Sequence, residues 1–471
     1  MRVLLLVYDN ESHIHVFPQG TAYIAAALRK AGHEVEIWSQ DIHHYPESHL
    51  TELLDREHFD VVGLGFIAGY WQYQKVKKIA AAVNASKNRK YFSFILGGHG
   101  PSACPEFFLK KLGADIVVRG EGEATTLDLV KGLETPHRVF LPPPINGISF
   151  FPEIGKQENL VTAPNRKPVE YIDSIPWPAW DLFPIEVYRL RRMPHASKTD
   201  FVMPVLTARG CPYACNFCYR MEKGYRMRDP ENVMDEVSFL HKHYGINYVY
   251  FSDELLMCNE ERVMDFCLQI RTLPFKFKWF CSGRLNFAKP EILAEMKATG
   301  CVFINYGIES FDDEALERMG KHLTCQQIED GIKATLAEGI SPGFNIIWGN
   351  LGETKETLRK GVEFLLKYDD HSELRTIRPV TPYPGSKLYD LAIEMGKLEG
   401  PEDFYERKHV NSDLLSVNFT DLSDVEFHNA LREVNEFLIM NYFNERRRQA
   451  QQQARRLYWD RNTNFRGFRQ T

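Results

Sequence analysis

Two stretches of this chain repeat one alternation, a short leucine-rich or β-branched run followed by a segment with helical spacing of apolar residues, and a proline-rich interval divides them. In the first stretch, residues 1 to about 130, the runs VLLLVY, EVEIW, VVGLGF, YFSFILGG and ADIVVRGEGE alternate with helical patterns such as GTAYIAAALRKAGH and YQKVKKIAAAVNAS. That order predicts a parallel sheet covered on both faces, with ligands at the carboxyl ends of its strands. In the second, FVMPVLTARG, INYVYFSDE, FKWFCSGRLN, CVFINYGIES, SPGFNIIWGN and ELRTIRPVTPYP make six strand-like segments with helical patterns between them. Six such units suit a parallel barrel, or most of one, with its chemistry at the carboxyl-terminal rim. The predicted class is α/β, with domains over 1–138 and 197–400, a surface linker over 139–196 containing LPPPINGISF and SIPWPAWDLFP, and a helical region over 401–471. The arginine- and glutamine-rich end is expected to be a solvated helix and tail.

The composition narrows the chemistry. A net charge of -6 gives no polyanion signature, so nucleic acid is not an expected partner. Runs such as VLLLV fall far short of the roughly 20 residues of a bilayer span, and MRVLLLVYDNES lacks a signal-peptide cleavage site, so a cytosolic protein is expected. Nine cysteines, an odd number without an export signal, point to reduced thiols, some of them on a metal. Six are scattered singly. The other three, Cys211, Cys215 and Cys218, crowd into RGCPYACNFCYR, and no second Cys or His pair supplies the remaining ligands of a structural zinc site. A redox C-x-x-C would leave Cys211 unexplained. Three thiolates on one loop do suit a 4Fe-4S cube whose fourth iron stays open to a small molecule.

This C-x-x-x-C-x-x-C with Phe217 before its last cysteine resembles the signature of the radical S-adenosylmethionine (SAM) superfamily. The resemblance implies that the open iron chelates the amino and carboxylate groups of SAM. One electron then cleaves the sulfonium, and the 5'-deoxyadenosyl radical takes hydrogen from a substrate carbon. It also implies a SAM-amino contact at Asp253 and Glu254 of YFSDELL, in place of the family's G-G-E form. Ser282 and Arg284 of FCSGRLNF are the candidates for a ribose or carboxylate contact, and Glu309 and Ser310 of GIESFDDEALERMGK stand on the next rim position. NIIWGNLGET and RPVTPYPGSKLY resemble the fifth and sixth strand motifs of one subgroup.

The first domain lacks the dinucleotide fingerprint G-x-G-x-x-G after its first strand. Its P-x-G-x-x-Y-I-A-A-x-L pattern, centred on Gly20, together with VVGLGF, LGGHGPSACPEF and DIVVRGEGEATTLDL, resembles the Rossmann-like cobalamin-binding domain found fused to radical SAM barrels. The cobalt-histidine motif D-x-H-x-x-G is missing: Asp9 with His13 has the wrong spacing, and DIHHYP lacks the glycine. The resemblance therefore implies cobalamin bound without its own base and without histidine on cobalt. Tyr70 and Trp71 would face the lower side of the corrin, with backbone approaching at Gly98 and His99 and a last loop at Glu121 and Gly122.

For the whole chain the resemblance implies a cobalamin-binding domain, a partial (β/α)6 radical SAM barrel and a helical carboxyl-terminal region. It implies an enzyme that uses a 4Fe-4S cluster, SAM, cobalamin and an external low-potential electron donor. The expected activity is methylation of an unactivated carbon of a small-molecule substrate through methylcobalamin, in the cleft between the domains. The alternative is a cyclase or oxidative rearrangement of the anaerobic magnesium-protoporphyrin monomethyl ester cyclase type, without methyl transfer. A non-catalytic cobalamin carrier would need a vestigial cluster, and all three cysteines are present.

Overall fold

The computed structural model describes residues 1–11, 16–67, 69–134, 145–152, 157–191, 193–221, 223–461 and 468; His13 and the side chain of Tyr70 lie outside the described residues. Buried apolar runs build the amino-terminal sheet from β1 (Arg2–Val7), β2 (Glu34–Ser39), β3 (Val61–Gly65), β4 (Ser93–Gly97) and β5 (Ile116–Val118), all parallel. Their order is 2-1-3-4-5, so the chain reverses its direction of winding between β1 and β3. Open α/β sheets bind ligands outside the carboxyl ends of the strands at this reversal.

The proline-rich interval is more than a surface connection. It supplies β6 (Ile148–Phe150) and β7 (Val161–Thr162), which extend the sheet in antiparallel fashion beyond β5. It then encloses Phe17 of the first domain, stacked 4.4 Å from Trp180 and edge-on to Phe183 at 5.1 Å and Tyr188 at 5.5 Å. Those aromatics are buried together with the core of the second domain.

The second sheet holds β8 (Val202–Val205), β11 (Tyr248–Phe251), β12 (Lys278–Gly283), β13 (Cys301–Glu309), β14 (Ser341–Trp348) and β15 (Arg378–Pro379), six parallel strands in the order 15-14-13-12-11-8. This is the expected partial barrel. An antiparallel hairpin, β9 (Ala208–Cys211) and β10 (Gly224–Met227), follows β8 at the carboxyl rim and carries the cysteine loop between its arms.

Past β15 the chain returns to the first domain. Val380, Leu388, Tyr389, Phe404 and Tyr405 share one buried cluster with Leu4, Val62, Phe94 and Phe108, and Phe107 stacks on Tyr405 at 5.4 Å. Helix Asp424–Tyr458 then begins at the barrel rim, where Phe427 stacks 4.3 Å from Trp348. It passes Ile377, hydrogen-bonded to Asn435, and His371, 3.3 Å from Asn441, at the opposite end of the strands. Its arginine-rich half leads away from the rim. Among the described residues no helix is long and apolar enough to cross a membrane.

Candidate active site at the domain cleft

The cysteine loop begins at a buried carboxylate. Asp253, 2% exposed on the loop after β11, accepts from the Thr207 amide at 2.6 Å, the Ala208 amide at 3.0 Å and the Thr207 hydroxyl. Burial pushes its carboxyl up to about 6 even so. Both oxygens are engaged in fixing the chain that enters β9, which leaves Glu254 as the neighbour free to meet a ligand. Glu254 faces solvent, and its charge acts on Cys211.

Cys211, Cys215 and Cys218 are brought together. Burial raises all three thiols, Cys218 to about 12, and each thiol also feels the Lys321 cation; Cys211 and Cys215 feel Arg284 as well. Cys218 is open to solvent yet strongly desolvated, the combination expected at the floor of a cleft. Between the last two cysteines, Asn216 anchors the loop: its amide donates to Met319 O at 2.8 Å, its carbonyl accepts from Leu388 N at 2.8 Å, and its side chain exchanges two hydrogen bonds with Asn350 at 3.2 and 3.0 Å. Phe217 packs against the cluster shared with the first domain.

Arg284 follows β12 and lies over the Tyr213 ring at 3.6 Å. It donates to Lys321 O and, at 2.9 Å, to His322 O, while its buried Nε has no partner among the described residues. Ser282 is half-buried on the same strand, its carbonyl accepting from Leu256 N at 3.1 Å. Glu309 ends β13 at φ 69°, a left-handed conformation that costs a non-glycine residue energy and collects at functional sites; its carboxylate meets Lys321 Nζ at 3.0 Å. Ser310 points elsewhere: it donates at 3.1 Å to Glu353, which also accepts from the Gly349 and Asn350 amides at 2.8 and 2.9 Å. Burial pushes Glu353 up to about 7.

Facing this loop is the carboxyl edge of the first sheet. At Gly20 and at Gly65 of β3 an added Cβ would meet nothing within 4 Å. Ile67 is 62% exposed and Trp71 49% exposed, so both present apolar surface to the cleft side. Gly98 has φ 98°, and a Cβ there would stand 2.4 Å from Phe66 O, so only glycine lets these two loops approach. His99 meets Tyr219, next to Cys218, edge-on at 5.8 Å, and burial lowers its pKa. Two expected contacts have other duties. Glu121 is held below the usual carboxylate range, its burial outweighed by Arg226 and Arg209, and Gly122 lets its helix close on Ile24, 2.8 Å from where a Cβ would lie.

The sequence reading passed over Asn216, Tyr219, Lys321, Asn350, Arg209 and Arg226. Lys321 stands at the end of the quoted GIESFDDEALERMGK, and Asn216 and Tyr219 flank cysteines, but nothing local marks their partners.

Comparison with known proteins assigns both domains to families. Residues 205–365 match the radical SAM superfamily and residues 6–130 match the B12 binding domain. A Pyrococcus horikoshii protein named as an uncharacterized methyltransferase, PH0819, is 31% identical over 404 residues, 83% of each chain. This chain belongs to the cobalamin-binding radical SAM family. The anaerobic magnesium-protoporphyrin IX monomethyl ester cyclase of Cereibacter sphaeroides is 27% identical over 79% of this chain and 60% of its own length. The radical SAM methyltransferase TsrM from Kitasatospora setae, solved with cobalamin and a 4Fe-4S cluster, shares the fold with a TM-score of 0.70 at 18% identity, over 92% of this chain and 88% of that one.

The residues present fit the family's three cofactors. Among the described residues no three His, Cys, Asp or Glu groups gather to hold a single metal ion, whereas three mutually sensed thiols suit the wider spacing of an iron-sulfur cube. Glu254 and the Arg284 Nε, unpartnered among the described residues, are the groups of opposite charge that would meet the amino and carboxylate ends of SAM. The glycine-lined edge with exposed Ile67 and Trp71 offers apolar contact and open space to a corrin.

Proposed function

We propose that this member of the family is a methylase that acts on an unactivated carbon of a small-molecule substrate held in the cleft between the two domains. The observation that supports this most directly is the contact of His99 with Tyr219, which sets the expected corrin edge against the cysteine loop. When bound, the cluster, SAM and cobalamin supply one-electron cleavage of SAM and a transferable methyl group. The chain's own part is orientation and exclusion of water. Asp253 and Asn216 fix the cysteine loop, Glu254 and Arg284 orient SAM, and Lys321 paired with Glu309 balances charge beside the thiols. Trp71 and Ile67 would give a bound corrin apolar contact, and Gly20, Gly98 and His99 would line the edge it meets. An external low-potential electron donor serves the cluster, and the protein works in the cytosol without nucleic acid.

The relatives include both a methyltransferase and a cyclase; the methyltransferase matches at higher identity and over more of both chains. One assay separates the two. The protein is reconstituted anaerobically with iron, sulfide and hydroxocobalamin, given SAM and titanium citrate, and analysed by mass spectrometry. A methylase forms both S-adenosylhomocysteine and 5'-deoxyadenosine. Production of 5'-deoxyadenosine alone would move the assignment to the cyclase type.

A further inference from the structure

The hairpin that carries the cysteine loop sets two like charges side by side. Arg209 of β9 and Arg226 of β10 are directly paired across the strands. Such a pair is unfavourable alone. What neutralises it comes from the other domain, from the turn after β5 and the first turn of the helix Gly122–Leu133 that follows it. Glu123 takes Arg209 in a two-pronged contact at 2.6 and 3.3 Å, and Glu121 takes Arg226 in the same way while lying 3.4 Å from Arg209. Glu121 also accepts from the Val169 amide at 3.2 Å, and Arg226 donates to Val169 O. The four side chains are 8 to 18% exposed.

Buried ion pairs seldom add net stability, because desolvation offsets the attraction, but an unpaired member costs heavily, so such a network strongly favours one registration of the surfaces it joins. Arg209 stands two residues before Cys211, and the residue between them, Gly210, has φ 84° with the Gly224 carbonyl 2.5 Å from where a Cβ would be. The chain from the ion pairs to the first cysteine is therefore short and closely confined.

We infer that Glu121, Glu123, Arg209 and Arg226 are positioning residues that register the cluster-bearing hairpin against the cobalamin domain, and so set the geometry between the two cofactors. The inference rests on the two-cofactor reading above. Its consequence is a split. Cleavage of SAM to 5'-deoxyadenosine needs the barrel alone, and cobalamin binding needs the first domain alone, whereas loss of the SAM methyl toward cobalamin needs the two in register.

The test uses the reconstituted full chain. The double variant Glu121→Gln/Glu123→Gln is expected to bind cobalamin and assemble the cluster as the wild type does, and to form 5'-deoxyadenosine within twofold of the wild-type rate. S-adenosylhomocysteine should form at least tenfold more slowly. Amide exchange of residues 208–227 should quicken at least tenfold, and the charge swap Glu123→Arg/Arg209→Glu should recover most of the protection that Glu123→Gln alone loses. If the double variant does not fold, Glu123→Gln against the swap decides by the same two readouts. An unchanged product ratio together with unchanged exchange overturns the inference, as does an equal loss of both products and both cofactors. A wild type that makes no S-adenosylhomocysteine would break the methylase reading instead, and the exchange experiment with its swap still decides the registration.

Discussion

Around the three cysteines the chain is held at three points, by Asp253 at the entrance, by Asn216 in the middle and by Arg284, which follows β12, over the Tyr213 ring. Across the same cleft, the edge formed by Gly20, Gly65, Ile67, Trp71 and Gly98 is shaped by missing or exposed side chains. The difference follows from what each region has to hold. A small inorganic cluster with fixed bond lengths needs ligands placed beforehand. A broad apolar cofactor brings its own contact surface and needs room.

If this contrast is right, damage to the two regions should separate. The largest effect is expected from Cys215→Ala, which should abolish the broad iron-sulfur absorption and 5'-deoxyadenosine formation while cobalamin binding stays within twofold, as measured by anaerobic absorption titration. A variant that keeps both would defeat the cluster assignment. Next comes Gly98→Val. Its left-handed φ alone costs about 1–3 kcal/mol, and the collision with Phe66 O adds to that. The melting temperature should drop by several degrees and cobalamin binding should be lost, with the iron content unchanged once the protein is refolded at low temperature.

Gly20→Ala sharpens the comparison without harming the fold. Its Cβ enters open space near a helix start, where alanine is better than glycine by up to about 1 kcal/mol. Thermal stability should hold or rise while cobalamin affinity falls about tenfold; an unchanged affinity would take Gly20 out of the cofactor edge. The smallest effect belongs to Glu353. Its carboxyl sits near 7 in the folded chain against about 4.5 ordinarily, so the folded state holds a proton that the unfolded chain releases. The stability this supplies is full below about pH 4.5 and lost as pH rises through 7. Glu353→Gln should flatten the melting temperature between pH 5 and 8, and an equal slope in both proteins would reject the assignment.

The two alternating stretches and the cysteine spacing were legible in the sequence because each is local, continuous apolar runs between segments of 3.6-residue period in one case and three thiols within eight residues in the other. What escaped was fixed by partners far along the chain. Asp253 reads as a ligand contact until Thr207, 46 residues earlier, is seen beneath it. Glu121 sits in a loop expected to touch a cofactor, but its cations lie 88 and 105 residues away by number. Strands β6 and β7 are three and two residues long, too short for any periodicity to emerge from a proline-rich background. The segment around Phe404 and Tyr405 reads as part of a helical tail, whereas its aromatics complete the first domain's core.

The paired amides of Asn216 and Asn350 have a further consequence. Neither side chain titrates, and together they secure the turn between the second and third cysteines through two neutral hydrogen bonds. An electron arriving at or leaving a cluster held by this loop therefore finds no protonatable group in that anchor to gain or lose a proton in step. The turn can keep one shape in both oxidation states, which lowers the structural rearrangement that accompanies each electron transfer.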